Sequence, residues 1–348
     1  MKYFALALSL GLAWASPSSA SEPETNSPEA NLPDNIEQLT WFGERPSWSP
    51  DGKRIAFMAK TFGDAFEIDL ETRRLTLLTH YPHPGYLRVQ FLPNGDYLLI
   101  GSRNFEDTYN TRYRTQELWL LRPGSGKPAA ALEQKMTEGV AISRSAMKIA
   151  YAVDSRTHPE EIPDGEAAIF TADVMYGEDG TPQLTNRKAA VRVRRPDCVG
   201  TEPQDFRYDD TELTFVCYTL LPGAKAGSWQ GNIGAVVPGV NLNTGQVTSY
   251  RERQDEYNEV EGIYPDGRYT LVESSRDQPT NSSQTIDIWK LRLEPGSSDM
   301  TRLTRWGDTP GRKSSNPVVN PDGNMIAFQS GRSSDDAGVG YGIFLLRE

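Results

Sequence analysis

The chain is poor in the residues that most often bind metals. Among 348 residues it has two cysteines and three histidines. Neither cysteine lies in a Cys-x-x-Cys motif or near a histidine, as a zinc site would require. His80 and His83 are the one close histidine pair, but Pro82 and Pro84 rule out their presentation on a helix. We therefore expect no cofactor and no histidine- or cysteine-based metal centre.

Basic residues are also in the minority. The chain has 36 Lys and Arg against 47 Asp and Glu, a formal net charge of −11. This balance argues against nucleic acid as a partner and leaves no basic patch for anionic lipid. It permits a neutral or cationic ligand without requiring one.

No apolar run is long enough to span a bilayer. A short apolar run follows Lys2, and residues 18–20 (Ser-Ser-Ala) suit cleavage, so we expect a signal peptide at 1–20. A buried N-terminal helix is the alternative. Residues 21–35 are rich in Ser, Glu, Pro and Asn, a composition that predicts a disordered leader. The protein would then be secreted or periplasmic.

The two cysteines fit export. In an exported chain, Cys198 and Cys217 are expected to form a disulfide, with two buried free thiols as the alternative. Asn281 begins an Asn-Ser-Ser acceptor sequence, which matters only in a eukaryotic host.

What the chain does contain is a repeat. Residues 46–57 and 317–328 both read as a strand, a Pro-Asp-Gly turn and a second apolar strand. Four weaker copies lie between them, and the six copies are about 43 to 65 residues apart. Propeller blades of four strands need about 40–50 residues, so the period predicts an all-β, six-bladed propeller over residues 36–348.

The two ends of the chain complete one blade. The last copy stops after its third strand, whereas residues 36–40 look like the end of a repeat without its beginning. Pairing these segments would close the ring and remove two exposed sheet edges. We therefore expect an N-terminal strand to supply the fourth strand of the last blade.

These repeats resemble the propeller repeats of TolB. The resemblance rests on residues 46–57 and 317–328, with Ser-Arg-Asp at 275–277 and Ser-Gly-Arg at 330–332 after the second strands. It implies the fold and says little about function. It does not cover the helical domain of TolB, so we do not carry over TolB's role with its outer-membrane lipoprotein partner.

A looser resemblance concerns the last third of the chain. Residues 258–262 and 338–344 are similar to secreted saponin-hydrolase-like proteins, which implies a glycoside substrate. The propeller-type pectate-oligomer lyases use a histidine-rich metal centre, for which this chain lacks the residues.

Chain direction places the long loops on one face, where function is most often found. Four residues before the alignment points of the six copies, one register reads Glu44, Leu87, Glu138, Glu202, Glu259 and Ser315. Glu261 lies two residues after Glu259. Blade-to-blade loops lead into the innermost strands, so this register predicts a carboxylate-lined channel mouth. Close carboxylates raise one another's pKa and permit acid–base chemistry, or they hold a cation through oxygen ligands. Salt bridges between inner strands are the alternative.

Two function classes remain open. The first is binding of a carbohydrate-type or protein ligand by a monomeric propeller. The second is glycoside hydrolysis, with Glu202, Glu259 and Glu261 as candidate acid and base. Exposed aromatic rings would provide stacking platforms for sugars, whereas packing between blades is the alternative. The candidate ligand-binding residues are Arg45, Arg88, Trp41, Tyr81, Tyr86, Tyr257 and Trp306.

Overall fold

The structure is a computed structural model that describes residues 27–224, 232–253, 255–278, 283–334 and 338–348. The described residues form six four-stranded antiparallel sheets. The predicted all-β, six-bladed propeller is therefore confirmed. The expected signal peptide and Asn281 lie outside the described residues. Among the described residues, no helix is long and apolar enough to cross a membrane.

Each blade runs from an inner strand outwards. The N-terminal strand is β1 (Ile36–Gln38). Blade 1 consists of β2 (Glu44–Trp48), β3 (Arg54–Met58), β4 (Ala65–Asp69) and β5 (Leu75–Leu77). Blade 2 consists of β6 (Tyr86–Phe91), β7 (Tyr97–Ser102), β8 (Gln116–Leu121) and β9 (Ala130–Lys135), with helix α1 (Thr108–Arg114) between β7 and β8. Blade 3 consists of β10 (Val140–Ile142), β11 (Lys148–Asp154), β12 (Glu166–Tyr176) and β13 (Pro182–Arg194).

The second half of the ring follows the same order. Blade 4 consists of β14 (Gly200–Arg207), β15 (Glu212–Leu220), β16 (Ile233–Asn241) and β17 (Val247–Arg251). Blade 5 consists of β18 (Asn258–Ile263), β19 (Tyr269–Ser274), β20 (Asp287–Arg292) and β21 (Met300–Arg302). Blade 6 consists of β22 (Arg312–Val319), β23 (Met325–Arg332) and β24 (Ile343–Arg347). Two 3-10 turns cover Pro28–Ala30 and Trp306–Asp308.

Strand β1 closes the ring as the sequence predicts. It pairs antiparallel with β24, with Ile36 opposite Leu346 and Gln38 opposite Phe344. Blade 6 therefore gains its fourth strand from the other end of the described chain. The pairing covers the edge that β24 would otherwise expose.

The repeated turn sets the geometry of each inner hairpin. In blade 1, Gly52 takes a φ of +68°, which disfavours residues with a Cβ. The Asp51 carboxylate accepts hydrogen bonds from Ser49 Oγ and from the backbone N–H of Lys53. The turn is thus held by its own side chains, and strands β2 and β3 leave it in a fixed register.

The core lies between the blades, where apolar side chains of neighbouring sheets meet. Trp306 is only 2% exposed and packs its ring edge-on against Phe328 and Phe344. Tyr86 is similarly buried between blades 1 and 2. Burial of such large side chains is the main favourable term holding one blade to the next.

The segment before β1 differs from the expected disordered leader. Residues 27–35 are part of the described structure, and the Glu29 carboxylate accepts hydrogen bonds from Ser330 Oγ (2.6 Å) and Arg332 Nη1 (2.7 Å). Polar composition alone predicted disorder, whereas a charge-assisted contact fixes the C-terminal part of this segment. Residues 21–26 lie outside the described residues.

Candidate functional site

The glutamates of the predicted register line one cavity. The cavity measures about 520 Å³ and opens where the inner strands begin. Glu44 is the first residue of β2, Glu138 precedes β10, and Glu202 and Glu259 lie near the starts of β14 and β18. Because successive blades repeat around one axis, residues at the same register of the inner strand converge on the channel.

One side of the cavity carries a compensated ion-pair network. Glu138 Oε1 lies 2.9 Å from Arg45 Nη1, and its other oxygen contacts the Arg112 guanidinium. Glu138 and Arg45 are both almost fully buried. Burial alone would raise the pKa of Glu138, but Arg112 and Arg45 outweigh it and lower that pKa to about 2. This carboxylate therefore stays ionised at any ordinary pH.

The opposite side concentrates carboxyl groups. Glu259 on β18 lies directly across the strand pair from Glu273 on β19. Carboxylate oxygens of Glu259, Glu261 and Glu273 all lie within 4.8 Å of one another. Like charges directly opposite in a sheet are destabilising, so the fold does not favour this arrangement.

Fixed hydrogen bonds orient two of these three carboxyls. Glu259 accepts from the hydroxyl of Tyr218 (2.6 Å) and from the hydroxyl of Tyr257. Glu273 Oε1 accepts from the backbone N–H of Asn316 and from its Nδ2 (3.1 Å). Both side chains are held in place before any ligand arrives.

The electrostatics of this side are opposite to those of the ion-pair network. Burial, reinforced by the charge of Glu273, raises the pKa of Glu259 to about 7. Burial and the neighbouring carboxylates also raise the pKa of Glu261 and of Glu202 well above the ordinary value. Desolvation of a charge and repulsion between like charges act in the same direction here.

Two charged groups at the cavity are uncommitted. In the described part of the chain, neither the Arg88 guanidinium nor the Glu202 carboxylate makes a hydrogen bond or an ion pair. The Nε atom of Arg88 is buried without a partner. A buried unpaired donor costs free energy that a ligand acceptor would recover, so Arg88 and Glu202 are candidate ligand contacts.

A glycine lets blades 3 and 4 approach at this point. Gly139 has a φ of +94°, and a Cβ added there would lie 2.5 Å from the Cβ of Glu202. Both the backbone conformation and the space require glycine. The start of β10 thereby positions the Glu202 side chain.

The candidate aromatic residues are placed in different surroundings. Tyr257 lines the cavity. Trp41 is 78% exposed but does not line it. Tyr81 and Tyr86 pack together between blades 1 and 2, and buried Trp306 donates from Nε1 to Ser330 Oγ (3.2 Å). These three rings therefore lie where packing between blades places them and offer no face to the cavity.

Two aromatic rings that the sequence did not single out lie at the cavity, where stacking residues were expected. Helix α1 brings Tyr109 and Tyr113 to the cavity, with ring centroids 5.2 Å apart, and Tyr109 is 52% exposed. The same helix supplies Arg112. The signal for α1 is Asp107, which caps it by accepting from the N–H of Asn110 (2.8 Å).

The predicted disulfide between Cys198 and Cys217 is confirmed, with a Cα–Cα distance of 5.3 Å. It joins the segment before β14 to β15, and Cys198 also lines the cavity. The bridge therefore fixes the segment that leads into Glu202.

No family model matches the chain, and no curated protein sequence matches it. Solved structures with a similar fold include TolB from Acinetobacter baumannii, with a TM-score of 0.52 and 11% identity over 86% of this chain and 65% of that chain. They also include the calcium-binding protein regucalcin from Agrobacterium tumefaciens, with a TM-score of 0.53 and 13% identity over 89% and 92%. An oligogalacturonate lyase in complex with manganese has a TM-score of 0.50 and 13% identity over 89% and 79%.

The chain spans 65% of the length of that TolB structure. At these identities the likeness shows the fold alone. The molecule is a six-bladed propeller with a fold similar to that of TolB.

Proposed function

We propose that the protein binds a carbohydrate-type ligand in the cavity at the channel mouth. The observation that carries the proposal is a 520 Å³ cavity that combines exposed tyrosine with uncommitted Arg88 and Glu202. Its volume lies in the range of small-molecule sites, about 300–1,000 Å³. Sugars present apolar faces for stacking and hydroxyls for charged acceptors and donors, so this lining suits them.

The distribution of charge narrows the ligand class. Glu44, Arg45, Arg112 and Glu138 compensate one another, so Arg88 and Lys313 are the half-buried cations of the cavity that form no ion pair among the described residues. The raised pKa values of Glu202 and Glu259 keep a share of the facing carboxyls neutral. The cavity thus favours a neutral or acidic oligosaccharide over a cationic one.

Calorimetric titration with neutral and uronic-acid oligosaccharides tests the proposal. Arg88→Gln should weaken binding of the preferred sugar at least tenfold, because it removes the uncommitted cation. Trp41→Ala is the matched control, since Trp41 is exposed away from the cavity. Binding that responds to Trp41→Ala and not to Arg88→Gln would place the ligand elsewhere.

A specific observation favours glycoside hydrolysis as a second candidate. The pKa of Glu259, about 7, lets this carboxyl donate a proton near neutral pH. Glu202 also lines the cavity, whereas Glu261 does not, so contact with a substrate is assigned to Glu259 and Glu202. Glu259 would protonate the glycosidic oxygen as its bond to the anomeric carbon breaks. Glu202, in its ionised fraction, would either attack that carbon or take a proton from the water that attacks it.

Turnover assays with chromogenic glycosides and plant saponins test this candidate. Glu259→Gln should abolish turnover while sugar binding persists. Absence of turnover by the wild type, with binding intact, would leave a recognition protein. The disulfide supports a site of action in an oxidising compartment outside the cytoplasm.

A further inference from the structure

Glu259, Glu261 and Glu273 form a carboxyl cluster, and it contains more carboxyl groups than sugar recognition requires. Glu259 and Glu273 face the cavity, while Glu261 lies behind its wall. All three belong to the hairpin of β18 and β19, so one rigid element positions them. Ligand groups carried on strands of a scaffold are held more accurately than groups on loops.

Glu261 is the informative member. It is only 5% exposed, and within the described residues its carboxylate makes no hydrogen bond and no ion pair. A carboxyl that is largely buried without a partner loses most of its hydration and gains little in return. Its oxygen points into the cluster, within 4.8 Å of an oxygen of each neighbour. A positively charged partner of Glu261 would therefore lie between the three carboxyls.

The hydrogen bonds on the other two carboxyls resemble the outer contacts of a metal site. Tyr218 and Tyr257 hold Glu259, and Asn316 holds Glu273. Such contacts fix ligand orientation and leave carboxylate lone pairs free. The Oδ1 atom of Asn316 is itself buried without a hydrogen-bond partner among the described residues.

Nearby cations do not neutralise the cluster directly. Arg45 and Arg112 are committed to Glu138. Lys313 and Arg88 influence the cluster electrostatically, but in the described part of the chain neither forms an ion pair with it. Lys313 Nζ donates instead to the backbone oxygen of Ser283, at 3.4 Å.

Ligand type and spacing select the cation. Carboxylate oxygens are ligands for hard cations, and the cluster contributes no nitrogen or sulfur. Two oxygens bound to one Ca²⁺ at about 2.3–2.6 Å can lie up to about 5 Å apart, whereas the shorter Mg²⁺ distance of about 2.1 Å limits them to about 4.2 Å. The three oxygens lie within 4.8 Å of one another, so they are close enough to converge on one cation. Mg²⁺ dehydrates reluctantly and is usually bound through one or two carboxylates, whereas Ca²⁺ takes six to eight oxygens in flexible geometry, so a site with three carboxylates favours Ca²⁺.

We propose that Glu259, Glu261 and Glu273 bind one Ca²⁺ ion at the wall of the channel cavity. Water, or a ligand in the cavity, would complete the coordination of six to eight oxygens that Ca²⁺ takes. The proposal goes beyond carbohydrate binding and does not depend on it, since the three glutamates can hold the ion without a sugar. It is an alternative to the hydrolysis candidate, because Glu259 bound to Ca²⁺ is ionised and has no proton to donate.

Calorimetric titration of the whole, EDTA-treated protein with Ca²⁺ alone tests the site. The wild type should bind one Ca²⁺ per chain, at least about tenfold more tightly than Mg²⁺. Glu261→Gln should weaken Ca²⁺ binding at least about tenfold. Glu71→Gln, at an exposed position outside the cavity, should leave it unchanged.

Several outcomes would overturn the assignment. Absence of saturable Ca²⁺ binding by the wild type would do so, as would unchanged affinity in Glu261→Gln or tighter binding of Mg²⁺. If Glu261→Gln does not fold, Glu273→Gln takes its place with the same expected loss. A sugar titration in EDTA keeps the two proposals separate, because failure of Ca²⁺ binding leaves the result of that titration standing.

Discussion

Glu138 is the residue whose removal should affect stability most clearly. Its buried carboxylate is the shared partner of Arg45 and Arg112. Glu138→Gln keeps the shape of the side chain and removes its charge. Two guanidinium groups would then face each other in the channel wall, with Glu44 (3.6 Å from Arg45 Nε) as the remaining acidic neighbour of Arg45.

The size of the effect follows from the pKa. A value of about 2 in the folded protein, against an ordinary 4.5, corresponds at about 1.4 kcal/mol per pH unit to about 3 kcal/mol of stabilisation at neutral pH. Breaking a buried ion pair by removing one partner costs about 3–5 kcal/mol, which agrees in magnitude. We therefore expect Glu138→Gln to lower the free energy of unfolding by about 3 kcal/mol at pH 7.

The sign of the pH dependence is fixed by the same shift. Between pH 4.5 and 2 the unfolded chain binds a proton at Glu138 and the folded chain does not, so this contribution grows as the pH rises. It is fully present above about pH 4.5 and is lost as the pH falls through about 2. The stability difference between wild type and variant should accordingly shrink towards zero at the acid end.

Urea unfolding followed by tryptophan fluorescence, from pH 2.5 to 8, measures this difference. Glu133→Gln is the control, because Glu133 forms an exposed ion pair with Arg103 that should be worth less than about 1 kcal/mol. A loss in Glu138→Gln no larger than that of the control, or a loss that does not vary with pH, would refute the reasoning.

Two further predictions concern the elements that position Glu202. Gly139→Ala should destabilise the protein by more than Gly95→Ala in a thermal unfolding comparison, because both glycines have positive φ but only at Gly139 does an added Cβ clash; equal losses would show that the approach to Glu202 is not tight. Replacing Cys198 and Cys217 together by serine should cost about 3 kcal/mol for a bridge of this loop length, measured by urea unfolding, and an unchanged stability would contradict it.

The fold was accessible from the sequence because a propeller repeats its signals. Each Pro-Asp-Gly turn is weak evidence alone, but copies at 50–52 and 321–323 fix the period and the phase of the blades. Ring closure followed from counting strands at the two ends, and the pairing of β1 with β24 confirms it. Because the turn recurs, a local signal was enough to predict the whole fold.

The residues that line the cavity could be predicted only where they occupy the same position in successive repeats. Glu44, Glu138, Glu202 and Glu259 were found together because one register of the inner strands places them at the channel. Glu273 was missed because it belongs to a second strand, where a single acid among apolar residues carries no repeated signal. It becomes meaningful only opposite Glu259, a pairing that needs the register of β18 and β19.

The positions of the aromatic side chains could not be predicted from the sequence. Sequence places Tyr86 and Trp306 in blade-to-blade segments of the functional face, yet both are buried in the packing between blades. The rings that reach the cavity, Tyr109 and Tyr113, depend on a short helix inserted between β7 and β8. Insertions break the repeat, so their side chains cannot be placed by register.

The propeller itself does not require acidic residues at the channel mouth. At the same register blade 2 has Leu87, which is fully buried, and blade 6 has Ser315. The inner strand thus accepts an apolar or a small polar residue at this point. Glu259 opposite Glu273 costs stability that the fold could avoid, as does the Glu261 carboxylate behind them, which has no partner among the described residues. Sequences depart from locally consistent choices mainly at functional sites. The carboxyl cluster of blade 5 is therefore the part of this molecule that the fold explains least, which supports the proposed Ca²⁺ site.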